Sequence, residues 1–343
     1  MNEKVAAFGE ILLRLSPPGH KRFIQANSFD AIYGGSEANV AVCVNNYGIP
    51  TKFITKVPDN EIGQACLQFF RKYGIDLSHV KKDENRLGIY FLEQGVSLRP
   101  SKVIYDRAHS SISLTKKGDF NWNSILEGVK WFHWSGITPA LSQNLADVTL
   151  EAIREANKSA IKVSCDLNYR NLLWKYGKEP KEVMPRLLKE CDVLIGNKAS
   201  VELMLGIKTE SIPSDRSSND NFKILCSKIQ SLYPNLEHIF LTQRKSLSAN
   251  HNIIKAYLFS EDNFHESKEY EITPILDRIG GGDAFVAGII YGLLNSDFSL
   301  QKTLDFGVAS SALKLTVKGD INLVSKEEVL KLMKEGKIDH VSR

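Results

Sequence analysis

Residues 129–170 read VKWFHWSGITPALSQNLADVTLEAIREANKSAIKVSCDLNYR, and this stretch decides the fold. Lys130–Trp134 is a short apolar run and predicts a strand. Gln143–Asn157 repeats apolar residues at helical spacing and predicts an amphipathic helix, and Ile161–Asp166 predicts a second strand. Two strands separated by one helix run parallel, because the helix carries the chain back across the sheet. Working outward, the alternation continues. Helices are expected over Lys181–Lys189, Ser200–Leu205 and Asn221–Tyr233, strands over Val193–Ile195 and His238–Thr242, and a β region over Ile253–Tyr270. Toward the N-terminus, Val5–Phe8 and Phe53–Val57 read as strands. Gly34-Gly35-Ser36 opens a helix closed by Gly48, and Gly63–Tyr73 is a helix closed by Gly74. The expected class is α/β, with a mostly parallel central sheet flanked by helices on both faces. Residues 11–33 and 87–112 break the rhythm with β-rich pieces around Gly95 and Pro100, and predict a small β-sheet layer inserted in a single domain spanning 1–343. In parallel sheets the ligand site lies beyond the C-terminal ends of the strands.

Composition excludes several classes. The 343 residues are 43% hydrophobic and 24% charged, as in a globular chain with a sizeable core. The net charge of +4 is spread along the chain without a polybasic arm, so nucleic acid is not an expected partner. Apolar runs fall short of the ~20 residues that span a bilayer, so no membrane partner is expected either. The N-terminal MNEKVAAFGEILLRL carries acids within its apolar stretch and reads as a first strand. Five cysteines, none spaced CxxC, fit free thiols in a reducing cytoplasm. The eight histidines show no metal-ligand spacing, and His133, with Trp131, Phe132 and Trp134, is expected in the core.

The sharpest chemical signal is Asp277-Arg278-Ile279-Gly280-Gly281-Gly282-Asp283-Ala284-Phe285, ahead of an apolar helix running to about Leu294. Glycines let the backbone approach a ligand, and the free N–H groups at a helix start hold anions. Asp283 stands at that start, where the dipole favours its ionised form. A carboxylate beside a phosphate seat can accept the proton of an attacking hydroxyl. The structural alternative is a tight turn with Asp283 as a helix cap. Neither a GxxxxGK[ST] phosphate loop nor the HRD set of protein kinases is present.

Gly34-Gly35-Ser36-Glu37-Ala38-Asn39-Val40-Ala41 resembles the N-terminal signature of the ribokinase-like (PfkB) carbohydrate kinases, and Asp277–Asp283 their C-terminal signature, about 240 positions later. Three segments, RPSKVIYDR at 99–107, FHWSGITP at 132–139 and DLNYR at 166–170, resemble the branch acting on 2-keto-3-deoxygluconate. The resemblance implies a ribokinase-like domain with a β lid that pairs two copies. It implies ATP with Mg²⁺ as phosphoryl donor and a sugar-acid 6-hydroxyl as acceptor. Asp283 is then the base, with Gly280, Gly281, Gly282 and Arg170 beside it. Gly34, Gly35, Ser36, Asn39, Tyr90, Tyr105, Arg107, Asn168, Arg170 and Asp320 would bind the sugar. Asn168, Asn197, Thr242, Arg244, Gly280 and Gly282 would bind the nucleotide. Arg107 is the expected bidentate clamp for the substrate carboxylate, since strand alternation puts it on one face with Tyr105. Asp320 is expected just after a Ser311–Val317 helix.

The chain departs from the family pattern in places. Arg278 replaces a usual Thr, and is expected on a phosphate or in solvent. Ser200 stands where an acid of a metal-linked motif would be, so no metal ligand is assigned. No glycine occurs in the loop expected at 243–249. A kinase for a neutral sugar such as fructose or ribose, and a non-catalytic sugar-binding protein on the same fold, remain the alternatives.

Overall fold

The computed structural model describes residues 4–208 and 218–336. Its main sheet runs, in spatial order, through Asn263–Glu266, His251–Ser260, His238–Ser248, Val193–Asn197, Lys162–Asp166, Val129–Ser135, Lys4–Phe8 and Thr51–Ile54, with Tyr270–Ile272 also paired to His251–Ser260. The six strands from His238–Ser248 to Thr51–Ile54 are parallel, and the edge beyond them is antiparallel. Alternation along these strands feeds two cores. Phe132, Trp134, Val163, Cys165, Leu194 and Leu241 meet the helices Gln143–Lys158, Pro180–Leu188, Lys198–Leu205 and Ser218–Leu232. Val5, Trp131, Ile195 and Phe240 face the opposite way, against Ser36–Asn46, Gly281–Leu294 and Leu300–Lys314. A central strand buried on both faces reads as continuous apolar sequence, which is why WFHW at 131–134 carried no alternation.

A separate small sheet has the order Asp30–Gly34, Leu12–Ser16, Gly88–Glu93, Lys102–Asp106. Leu12, Tyr90 and Leu92 form its buried patch, with Val103, Tyr105 and Ile279 packed against it. The small sheet therefore leans on the glycine-rich segment itself.

Three expected elements differ from the structure. The strand expected over Phe53–Val57 breaks at Thr55 into Thr51–Ile54, in the main sheet, and Lys56–Pro58, which pairs with Lys81–Asp83. The strand expected to stop at Thr242 runs on to Ser248 and turns into His251–Ser260, so 243–248 is a hairpin arm and not a loop. The polar run Gln243-Arg244-Lys245-Ser246 hid it, because ladder bonds to Lys255, Ile254, Ile253 and Asn252 stabilise the arm without apolar side chains. The helix expected over Ser311–Val317 spans Leu300–Lys314, capped by the Ser299 side chain accepting from the Lys302 amide. That cap was the available signal. As expected, His133 lies in the core, its Nδ1 2.9 Å from Ser164 Oγ, and burial pushes it down to about 3, so it is neutral.

Candidate active site

The C-terminal ends of the parallel strands open into a cavity of about 820 Å³. The Asp277–Asp283 segment forms one wall and the Gly34–Asn39 segment the other. Gly280 has φ +83°, and a Cβ there would lie 1.9 Å from the Asp320 carbonyl oxygen, so only glycine makes this turn. Gly281 and Gly282 begin the Gly281–Leu294 helix, and Gly282 faces open space. Gly35 is extended, and its Cβ would stand 2.0 Å from the Glu10 carbonyl oxygen. Close approach, and not left-handed backbone, fixes glycine there.

The two glycine segments meet at Asp283. Its Oδ1 accepts the Ser36 hydroxyl at 2.8 Å and its Oδ2 accepts Asn39 Nδ2 at 2.8 Å. Asn168 Nδ2 donates to Ser36 Oγ at 2.8 Å, so the loop after Lys162–Asp166 joins the same chain of bonds. Ser36 is the first helical residue behind a Gly35 cap, and its hydroxyl serves Asp283 instead of capping the helix. Burial pushes the Asp283 carboxyl up to about 6, against the pull of Asn39, Ser36 and Arg170. The helix start was expected to favour its charge; desolvation outweighs that, and the group remains mostly ionised at pH 7.

Two further acids share this end of the cavity, and neither was singled out in the sequence. Glu37 is buried and accepts from Ser135 Oγ at 2.7 Å and Thr138 Oγ1 at 2.8 Å, and burial raises it to about 6. Asp166 is pushed up to about 7 by burial and then by the charge of Asp283, with Arg170 opposing. In the unfolded chain a free Asp166 is ionised above about pH 4. The folded state therefore holds a proton there that the unfolded state lacks, and stability falls as pH rises from about 4 through 7. Asp166→Asn is expected to stabilise the chain more at pH 8 than at pH 5, by on the order of 2 kcal/mol. Urea unfolding at the two pH values checks this, and an equal gain at both contradicts it.

At the other end, Tyr90 donates its hydroxyl to Asp320, and its ring lies 6.3 Å from that of Tyr105. Asp320 also receives Arg14 at 2.6 Å, and Arg14 reaches Asp277 at 2.8 Å. Burial alone would lower Arg14; Asp320 and Asp277 outweigh it and hold it above its ordinary value. A Cβ on Gly34 would lie 2.3 Å from Asp320 Oδ2, which ties this glycine to the same cluster. Arg107 is buried and shares a face with Tyr105, but its fork is not open. Its Nε and Nη2 lie 2.6 and 2.5 Å from Glu10 Oε2, and Ser110 donates to Glu10 Oε1. A buried guanidinium needs a counter-charge in the protein. Among the described residues only the Nη1 side has no protein partner, so the expected two-pronged clamp is reduced to one prong.

The residues expected at the nucleotide line the cavity's far end. Asn197 caps the Lys198–Leu205 helix in a reciprocal pair with Ser200, which explains a serine at the position where an acid was expected. Thr242 Oγ1 donates to the Gly196 carbonyl. Arg244 is exposed overall, yet desolvation of its head and then the charge of Arg170 hold it below the usual arginine value. Arg278 is half-buried on the cavity wall, and its guanidinium is held by the protein. It donates to the carbonyls of Ala249 and Ser248 and to Asn252 Oδ1, locking the hairpin turn onto the glycine segment. Asp277, absent from the expected site, anchors the turn by accepting the amides of Ile279 and Gly319.

A sequence profile of the pfkB family carbohydrate kinases matches residues 2–227 and 255–327. The chain belongs to the PfkB family of carbohydrate kinases. As a PfkB kinase it is a phosphotransferase acting on a sugar hydroxyl, with the ribokinase-like fold. The crystal structure of a 2-dehydro-3-deoxygluconokinase from Thermotoga maritima superposes with a TM-score of 0.91 at 43% identity, covering 97% of this chain and 99% of that one. A Haloferax volcanii 2-dehydro-3-deoxygalactonokinase is 30% identical over 98% of each chain. A Clostridium perfringens 5-dehydro-2-deoxygluconokinase is 28% identical over 90% of this chain and 86% of that one. No helix among the described residues is long and apolar enough to cross a membrane.

Proposed function

We propose that this PfkB kinase transfers the γ-phosphate of ATP to the 6-hydroxyl of 2-keto-3-deoxygluconate, with Asp283 as general base. The observation that carries the reading is Asp283 itself: a carboxylate at a glycine-lined helix start, held at both oxygens by Ser36 and Asn39 from the opposite wall. The names of the Thermotoga and Haloferax relatives support a 2-keto-3-deoxy acid as acceptor. The acceptor oxygen attacks the γ-phosphorus, the bond to the bridging oxygen breaks, ADP leaves with that electron pair, and the hydroxyl proton passes to Asp283. The Gly280–Gly282 amides hold the phosphates, and Arg170 and Arg244 face the charge that develops. Gly34, Gly35, Tyr90 and Tyr105 shape the sugar seat, and Arg107 Nη1 takes the substrate carboxylate. Asn168 spans both ends, and Asn197 and Thr242 line the nucleotide end.

Among the described residues no group of three or more carboxylate, histidine or cysteine side chains converges as a metal cage. Magnesium nevertheless fits as an ion carried in on the ATP phosphates, because Asp166 lines the cavity with no ion pair among the described residues. It would neutralise phosphate charge there. The five buried free cysteines suit a cytoplasmic setting.

Acceptor-dependent ADP formation tests the reading. Turnover is expected with 2-keto-3-deoxygluconate and far less with fructose or ribose. Preference for a neutral sugar, or ADP formation indifferent to every acceptor, would contradict it.

Gly282 offers a cleaner probe of the phosphate seat. Gly282→Ala places a methyl group in open cavity space on a helix, so the melting temperature is expected to hold or rise slightly. The KM for ATP should rise about tenfold, or ~1.4 kcal/mol. Gly280→Ala, by contrast, should cost about 2 kcal/mol or more of stability. Calorimetry with steady-state kinetics separates the two, and an unchanged KM in the Gly282 variant would argue against phosphates at this turn.

The small sheet is the proposed lid and pairing surface. Ile24 and Leu98 are 91% and 93% exposed, and Phe29 and Ile104 are exposed as well. A dimer through this face would cover them. Sedimentation of Ile104→Lys beside the parent is expected to convert dimer to monomer; a parent that is already monomeric contradicts the pairing.

A further inference from the structure

The glycine turn rests on four enclosed charges that sum to zero. Arg14, Lys314, Asp277 and Asp320 are 3%, 0%, 2% and 4% exposed. Three of them form a direct ion-paired chain. Lys314 is the unexpected member. It ends the Leu300–Lys314 helix, where a lysine ordinarily trails over the surface with its ammonium in water. Here the ammonium is fully enclosed and donates to the Val317 carbonyl at 3.1 Å. Burial holds it below the ordinary lysine value, while Asp277, Asp320 and Asp283 act to keep it charged and Arg14 acts against them. Its stem packs beneath the turn: a Cβ on Gly280 would lie 3.0 Å from Lys314 Cε. An apolar side chain of this length would fill the same space without the cost of burying a charge, so packing alone does not account for a lysine here.

We propose that Lys314 is a positioning residue for phosphoryl transfer, a built-in monocation that fixes the Asp277–Gly282 turn and lends its charge to the anion seat above it. The inference rests on the kinase reading given under Proposed function. Asp277 accepts the Ile279 amide with its carboxylate and Asp320 backs Gly280 with its backbone carbonyl oxygen, so both residues bear directly on the turn's shape. Removing the ammonium leaves them one positive charge short. The turn is then expected to lose its phosphate-ready form and the seat part of its field, while Tyr105 and Arg107 are untouched.

The test compares the parent with Lys314→Met, which keeps the volume, and Lys314→Ala, which leaves space. Folding is followed by circular dichroism and melting, and turnover by ADP release with 2-keto-3-deoxygluconate as acceptor. A parent without turnover would defeat the kinase reading and not this inference. In a folded Lys314→Met, kcat is expected to fall about 30-fold or more, with the sugar-acid KM changed less than about threefold. In Lys314→Ala, n-propylammonium is expected to restore about tenfold in kcat, and tetramethylammonium at equal concentration to restore none. A Met variant that melts like the parent and keeps kcat within about threefold overturns the proposal. So does the loss of folding in both variants with no recovery by n-propylammonium, which would assign Lys314 to folding alone.

Discussion

Asp283→Asn is expected to lose kcat by about 10²- to 10⁴-fold while the chain stays folded, the range that removal of a positioned general base produces. The substitution is nearly isosteric, so packing around the helix start is preserved. The hydrogen bonds are where it tells. Ser36 and Asn39 both donate to Asp283, and an amide in its place must turn its NH₂ group toward one of those donors. One bond is lost, against relief from burying a carboxylate that burial already pushes up to about 6. The two effects oppose, so unfolding should shift by no more than about 1–2 kcal/mol. Steady-state kinetics beside denaturant unfolding decides the matter. A folded variant with kcat within tenfold of the parent removes Asp283 as base.

Arg107→Leu ranks second. It is expected to lower kcat/KM for a 2-keto-3-deoxy acid by roughly 30- to 1000-fold, corresponding to ~2–4 kcal/mol of transition-state binding. Arg107 is the counter-charge of Glu10, which is 2% exposed, so the single variant also strands a buried carboxylate. The double variant Arg107→Leu/Glu10→Gln removes both charges and should recover most of the stability while kcat/KM remains low. Recovery of kcat/KM together with stability would mean that Arg107 only holds Glu10, and the acceptor would then need no carboxylate.

Much of this was legible in the sequence because it depends on local pattern. Strand and helix alternation from Val129 onward follows from short apolar runs between amphipathic stretches, and the glycine run at 280–282 marks a tight turn ahead of an apolar helix. The misses share one cause. Gln243–Ser248 is polar and reads as a loop until its hairpin partner is known, and Arg278 finds its acceptors on that partner's turn. Glu37 and Asp166 look like an ordinary helix residue and a strand end until folding buries them beside Asp283. Glu10 and Arg107 are 97 positions apart, and no local pattern announces their pairing. Long-range electrostatics was the illegible part, and it is what sets the charge state of the site.

Phosphoryl transfer with Asp283 as base is open to direct view in a crystal structure of the ternary complex with 2-keto-3-deoxygluconate and a non-hydrolysable ATP analogue. The acceptor 6-hydroxyl is expected within about 3 Å of an Asp283 oxygen, the sugar carboxylate on the Arg107 Nη1 side, and the γ-phosphate over the Gly280–Gly282 amides. A nucleotide bound away from that turn, or an acceptor hydroxyl out of reach of Asp283, would contradict it.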